Sequence, residues 1–393
     1  MTVTLKTILP CPTGATPRAT ARSMRSVAAR AGALGLAVGL VAWPAGAEAA
    51  FSLSQTFNDP TPTTVDAFGF SVAIDGNNVL IGAANDDTNG NSAGQAHLFD
   101  ATTGTLLQTF NDPVPANIDQ FGVSVAIDGS NVLIGAHLDN SAGPGVGQAH
   151  LFDTAGTLLQ TFNDPTPTSG DGFGASVAID GNNVLIGAPG DDSNGVGIGQ
   201  AHLFDATTGT LLQTFNDPTI TVGDFFGSSV AIDGGNVLIG APQDRTNGLN
   251  VGQAHLFDTA GTLLQTFNDP TVTSEDRFGV SVAIDGDNVL IGAIGDNNNG
   301  LNVGQAHLFD APTGTLLQTF NDPTPGGMDS FGTSVAIDGG NVLVGASGDD
   351  TNGQNVGQAH LFTQPVPEPS SLALMLTGLL ALGLLRRRRS AEC

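Results

Sequence analysis

Cysteine is almost absent from this chain. Cys11 and Cys393 are its two copies, and they lie at opposite ends of 393 residues. Everything between them is free of disulfides and of thiolate metal sites, even if the chain is exported to a compartment that would allow them. Tyrosine is missing, Trp43 is the one tryptophan and Lys6 the one lysine. Sugar-binding platforms usually stack their ligand on exposed Trp or Tyr, so that reading loses weight, although there are 21 phenylalanines. Positive charge is equally scarce. Between residues 51 and 363 only Arg245 and Arg277 face 34 acidic residues, a formal charge of −32. Such a surface repels nucleic acid and anionic headgroups and favours solubility and cation binding. Nucleic-acid binding is excluded, because it needs clustered Lys and Arg to displace phosphate counterions.

The remaining basic residues sit at the two ends. Lys6, Arg18, Arg22, Arg25 and Arg30 precede an apolar run from Ala31 to Trp43 and then the small-residue stretch Ala45 to Ala50. A basic region, a short apolar run and an Ala-x-Ala-like site predict a secretory signal peptide over residues 1–50. A membrane-spanning helix would need about 20 apolar residues, more than this run offers. Translation could start at Met1 or at Met24, since Met24-Arg25 onward already makes a compact signal.

What is there in abundance is repetition. Phe-Asn-Asp-Pro recurs with its Phe at 57, 110, 162, 215, 267 and 320, a period of 52 or 53 residues. A fixed period of that size marks a repeat architecture. The third unit reads as four strands. Phe173 to Ile179 is small and β-branched, and Asp180-Gly181-Asn182-Asn183 is a hairpin signal. Val184 to Ala188 is continuously apolar, as befits a strand buried on both faces. A polar Gly/Asp/Asn loop leads to Gln200–Phe204, a tight turn, and Thr210–Phe215. No helical period or helix start is found from 51 to 363.

Four antiparallel strands per unit predict an all-β fold, a six-bladed β-propeller of four-stranded antiparallel blades. The first unit contributes only its fourth strand, 52–57, and the last stops after its third, 358–362. The expectation is therefore a ring closed by pairing the N-terminal strand into the C-terminal blade. An open solenoid would instead want polar caps.

The pattern Phe173-Gly174-Ala175-Ser176-Val177-Ala178 followed by Gly187-Ala188-Pro189 resembles the FG-GAP repeat in all six units, with the Pro kept only at Pro189 and Pro242. The resemblance implies a propeller like that of integrin α subunits, often with calcium held by an Asp-x-Asp-x-Asp-Gly loop between strands one and two. Here that hairpin is Ile-Asp-Gly-x-Asn, too short for such a loop. Integrin propellers also have seven blades.

Acidic residues favour one face. The 2–3 and 4–1 loops carry 22 of them, and the 1–2 and 3–4 turns carry 12. Calcium takes six or more hard oxygen ligands. Asn85, Asp87 and Asn89 in the 2–3 loop of unit one fit a relaxed ligand spacing, and Asp191, Asp192, Asp349 and Asp350 stand in the same loops of units three and six. Asp, Asn and Gly also form turns by bonding their own backbone, and the loops satisfy either reading. His97, His150, His202, His255, His307 and His360 share one third-strand position. Strand spacing puts neighbouring copies about 15 Å or more apart, too far to share a metal, which predicts a structural role between blades. Gly174-Ala175-Ser176 looks like a hydrolase nucleophile elbow but opens a strand, recurs six times and has no paired base.

Beyond the repeats, a linker (364–371) holds Pro367-Glu368-Pro369. The segment 372–393 then runs from apolar Leu372–Leu385 into Arg386, Arg387, Arg388 and Arg389. It resembles the PEP-CTERM sorting signal of Gram-negative bacteria. The resemblance implies transient recognition by an exosortase-type membrane protease, then release or transfer to the cell surface. Fourteen apolar or small residues are marginal for spanning the bilayer, and the arginines would hold the tail on the cytoplasmic side.

These features point to an exported, envelope-associated or extracellular module. It would be non-catalytic and would bind a protein or polysaccharide ligand. A passive matrix protein is the alternative, and a glycan-active enzyme is less favoured. The unrepeated polar residues His137, Arg245, Glu275 and Arg277 are too scattered along the chain to make an active site.

Overall fold

The computed structural model describes residues 55–62, 65–298, 300–351 and 357–363. Every regular element among them is a β-strand, and the strands form six sheets in sequence order, as the period requires. Blade three is typical. Its strands are Ser176–Asp180, Asn183–Ala188, Gln200–Asp205 and Leu211–Asn216, paired in that order. All pairs are antiparallel, with Val184 opposite both Ile179 and Phe204.

The apolar stretch of the second strand is buried in blades two to five, and from Leu80 onward in blade one, where it is covered on both faces, whereas in the last blade Leu343 is exposed. The core is accordingly not inside a blade but between blades. Leu80, Leu98 and Phe110 of blade one pack with Val125, Val132, Ile134 and Phe152 of blade two. Leu133, Leu151 and Phe162 then repeat the contact one blade on. Alternating Leu and Phe from one sheet against Val and Ile from the next gives each interface the same interlocking surface, which is why the units repeat so closely.

Two further bonds join neighbouring blades at the innermost strand. Ser176 Oγ donates to the Gly227 carbonyl at 2.7 Å, and the Gly234 N–H donates to Asp180 Oδ2 at 2.8 Å. The same serine bond is made by Ser71, Ser124, Ser229 and Ser281. Five of the six first-strand serines are thus blade clasps.

The blade order agrees with expectation, and of the expected closing strand 52–57 only Gln55 to Phe57 are described. The last sheet has three described strands, Phe331–Asp338, Asn341–Ala346 and Gln358–Thr363. Gln55 to Phe57 form no strand, and the rest of the expected closing strand lies outside the described residues. Among the described residues no clasp runs from Ser334 or Asp338 to blade one. The inner strand of blade one is correspondingly open: Val72 is 67% exposed, against 9% for its counterpart Val125. Phe57 nevertheless packs on Phe99 with ring centroids 5.1 Å apart, as Phe110 packs on Phe152 at 5.4 Å. The N-terminal segment therefore sits on blade one as a fourth strand sits on the blade after it.

No helix among the described residues is long and apolar enough to cross a membrane. The expected signal peptide, the Pro-Glu-Pro linker and the apolar tail lie outside the described residues.

Candidate metal centres under the loop face

Three segments of each unit converge on one buried point: the 4–1 loop entering the blade, its 2–3 loop and its third strand. In unit three they bring Asp164, Asp191 and His202 together, with one ligand atom from each within 4.8 Å of the others. Asp164 follows the fourth strand of the preceding blade. Its Oδ1 accepts the Thr166 N–H at 2.8 Å, the Asx turn expected of Asp-Pro-Thr. Asp191 Oδ1 accepts the Ser193 N–H at 2.7 Å, and its Oδ2 accepts the Thr166 hydroxyl at 3.1 Å. Thr166 thereby ties the two loops to each other.

His202 enters from the strand between them. Its Nδ1 pairs with Thr214 Oγ1 at 3.1 Å, and its ring lies 5.9 Å from that of Phe173. Both contacts are within the blade, not between blades as its position in the sequence suggested. Nε2 is left facing the carboxylates. It has no hydrogen-bond partner, and neither has Asp164 Oδ2. His255 Nε2 stands 3.9 Å from Asp217 Oδ1, and His360 Nε2 stands 3.8 Å from Asp322 Oδ1, beyond hydrogen-bond range.

A third carboxylate completes the set. Asp59, Asp66 and Asp86 cluster in unit one, and Asp112, Asp119 and Asp139 in unit two. Their counterpart in unit three, Asp171, accepts the Thr168 N–H. The residues on either side of these aspartates take positive φ in every unit. Gly170 and Gly223 do so readily, but Val65 and Ile118 stand at φ 72°, a strained conformation for a β-branched side chain.

Burial dominates the electrostatics. It pushes Asp164 up to about 6, with Asp171 and Asp191 adding to the rise and the Thr166 N–H opposing it. Asp112, Asp217 and Asp269 are raised to about 6 for the same first reason. Burial pushes His202 down to about 4, against the pull of Asp191. His150, His255 and His307 also fall to about 4. No Lys or Arg offsets these buried carboxylates.

The loop residues singled out from the sequence divide. Asp191 and Asp349 are in the buried clusters. Asp192 and Asp350 are exposed, and Asp192 Oδ1 accepts the Gly197 N–H at 2.7 Å. Asp87 is exposed and accepts the Ser92 N–H, Asn89 donates to Asn111, and Asn85 accepts from Gln120. Asp192, Asp87, Asn89 and Asn85 thus brace their loops. Sequence reasoning missed the histidine as the partner of the aspartates. The available signal was a polar ring recurring in an otherwise apolar third strand.

The six units match one family model. The FG-GAP repeat model fits residues 62–99, 113–152, 165–204, 220–257, 269–309 and 325–362. The chain belongs to the FG-GAP repeat family. Each FG-GAP match runs from the 4–1 loop through the third strand and takes in the 2–3 loop aspartate and the histidine of its unit, while the first aspartate of the cluster precedes the match in every unit but the fifth. The fourth strand falls between matches. A second model, the PEP-CTERM protein-sorting motif, fits residues 365–389, which include Pro367, Glu368, Pro369 and Arg386 to Arg389. This FG-GAP protein thus carries the sorting tail of exported envelope proteins. Comparison with curated proteins found no match.

Proposed function

We propose that this FG-GAP propeller is a non-catalytic binding or adhesion module of the cell surface or extracellular matrix, delivered by processing of its PEP-CTERM tail. The observation that carries this reading is the composition of the loop face. Val65, Ile118 and Met328 at the tips of 4–1 loops, and Val196, Leu249 and Leu301 in 2–3 loops, are 53–80% exposed. Apolar side chains repeated around one face and ringed by carboxylates are the surface of a docking site, not of an inert filler. The unrepeated polar residues favour binding over catalysis. Arg245 Nε donates to Asn250 Oδ1 at 3.0 Å, and Asn250 Nδ2 donates to Glu275 Oε2 at 3.1 Å, so this group braces neighbouring loops.

Two measurements test the reading. The full chain with Ile118, Leu249 and Leu301 changed to serine should lose adhesion to extracted matrix while melting like the parent, and unchanged adhesion would remove the loop face from the proposal. The native protein should have an intact mass lacking residues 1–50 and 372–393. A species that keeps Arg386 to Arg389 would leave a membrane-anchored protein.

A further inference from the structure

We propose that each of the six units holds one divalent transition-metal ion of the zinc class, bound between the third-strand histidine Nε2 and the carboxylates of the two loops that meet it. The ligands in unit three are His202 Nε2, Asp164 and Asp191, with Asp171 beside them. The same set stands in units five and six, His307 with Asp269 and Asp296 and His360 with Asp322 and Asp349, and His255 approaches Asp217 in unit four; in units one and two the three aspartates cluster, with His97 and His150 at the equivalent third-strand position.

Three independent features point to an ion. The first is charge: 17 aspartates, three in every unit but the first, are buried, and the two arginines of the repeat region are far too few to neutralise them, Arg245 acting on Asp224 alone. Isolated buried carboxylates are costly unless a cation or protons neutralise them. The second is the unsatisfied donor set. The Nε2 atoms of all six histidines lack a partner, as does an Oδ2 of Asp112, Asp164, Asp217, Asp269 and Asp322. His97, His202, His255 and His307 are fully buried, and those of units three, four and five stand against the carboxylates. Buried polar atoms are rarely left unpaired, and the same atom unpaired in six repeats is a site, not an accident. The third is orientation. Thr214 holds His202 Nδ1, which fixes the ring so that Nε2 offers its lone pair to the cluster. This is the outer-shell bond that metal-bound histidines typically make.

Donor chemistry selects the ion. An imidazole nitrogen with carboxylate oxygens suits zinc and its neighbours, whereas calcium takes an all-oxygen shell of six or more. Bond lengths of about 2.0–2.2 Å place ligands roughly 3–4 Å from one another. The separations of 3.8 and 3.9 Å seen in units six and four require only small carboxylate rotations. The site is also distinct from the 1–2 hairpin, where integrin-like repeats hold calcium. An ion here would pin the 4–1 loop, the 2–3 loop and the third strand of one blade together, and so set the loop face.

The test uses the full chain, stripped with chelator and then titrated with zinc chloride or calcium chloride at matched ionic strength. Zinc content by mass spectrometry should reach about six per chain with a rise in melting temperature, and calcium should produce neither. His202→Gln should bind about five, and the exposed control Asp192→Asn should still bind about six. Should His202→Gln fail to fold, imidazole nitrogen NMR of the parent replaces it, and the six Nε2 signals should shift together as zinc is added. Less than one zinc per chain, equal responses to both ions, an undiminished count in His202→Gln or unmoved Nε2 signals would overturn the proposal.

Discussion

Replacing Gly187 by alanine tests how closely neighbouring blades approach. A Cβ at Gly187 would stand 2.0 Å from the Gly227 carbonyl oxygen of the next blade and 2.4 Å from Ser176 Oγ. Carbon–oxygen contact needs roughly 3.2 Å, so the two inner strands must part by more than 1 Å in a close-packed core. Overpacking of that kind costs about 1–3 kcal/mol. The movement also breaks the Ser176–Gly227 hydrogen bond, worth about 1 kcal/mol. A total near 3 kcal/mol should lower the melting temperature by roughly 5–10 °C in a domain of this size. The double variant with Ser176→Ala should recover little, because the backbone carbonyl remains in the way. Gly345→Ala is the internal comparison. There the one close atom is Ser334 Oγ at 2.4 Å, and no carbonyl of blade one is near, so the cost should stay below about 1 kcal/mol. Thermal unfolding of the three variants decides the matter. A neutral Gly187→Ala would refute the inter-blade clasp. A Gly345→Ala as damaging as Gly187→Ala would show that the sixth junction closes like the other five.

Asp164→Asn reads the buried carboxylate in chelated protein. A group whose folded pKa stands above its unfolded value of 3.8 stabilises the fold below pH 3.8 and loses that contribution as pH rises through about 6. The variant should therefore exceed the parent by about 1–2 kcal/mol at pH 7.5 and match it near pH 3.5, and equal melts at both would refute the buried charge. Ile118→Gly should raise the denaturant midpoint by the equivalent of about 0.5–1 kcal/mol, because Ile118 stands at φ 72° where units three and four have glycine. A lowered midpoint would mean that the side chain stabilises its loop. Phe110→Ala should cost about 3–5 kcal/mol, and Phe57→Ala about half as much, since Phe110 is 2% exposed and Phe57 is only half-buried. Equal losses would indicate that Phe57 is as enclosed as the strand-four phenylalanines.

Much of the fold was legible because each strand type has its own local signature. Val184 to Ala188 is uniformly apolar, as a strand packed on both faces must be, and Asp180-Gly181 marks its hairpin. The Phe-Asn-Asp-Pro period then set the number of blades. Closure was less legible, because it depends on what a half-unit at one end does to a half-unit at the other. The clusters were half visible. Asp191 and Asp349 stood out as loop carboxylates, but so did Asp87, Asp192 and Asp350, which point outward, and spacing within a loop cannot tell an inward carboxylate from an outward one. His202 was legible as a repeated residue and not as a ligand, because comparing it with histidines of other blades overlooked the two loops of its own blade.

Anomalous diffraction at the zinc edge, from crystals of the zinc-titrated chain, tests most directly whether each unit folds its acidic loops onto its own histidine. Six peaks are expected, each about 2 Å from the Nε2 of His97, His150, His202, His255, His307 or His360 and within coordination range of the buried aspartates of that unit. Peaks confined to exposed carboxylates such as Asp87, Asp192 and Asp350, with none at the histidines, would contradict it.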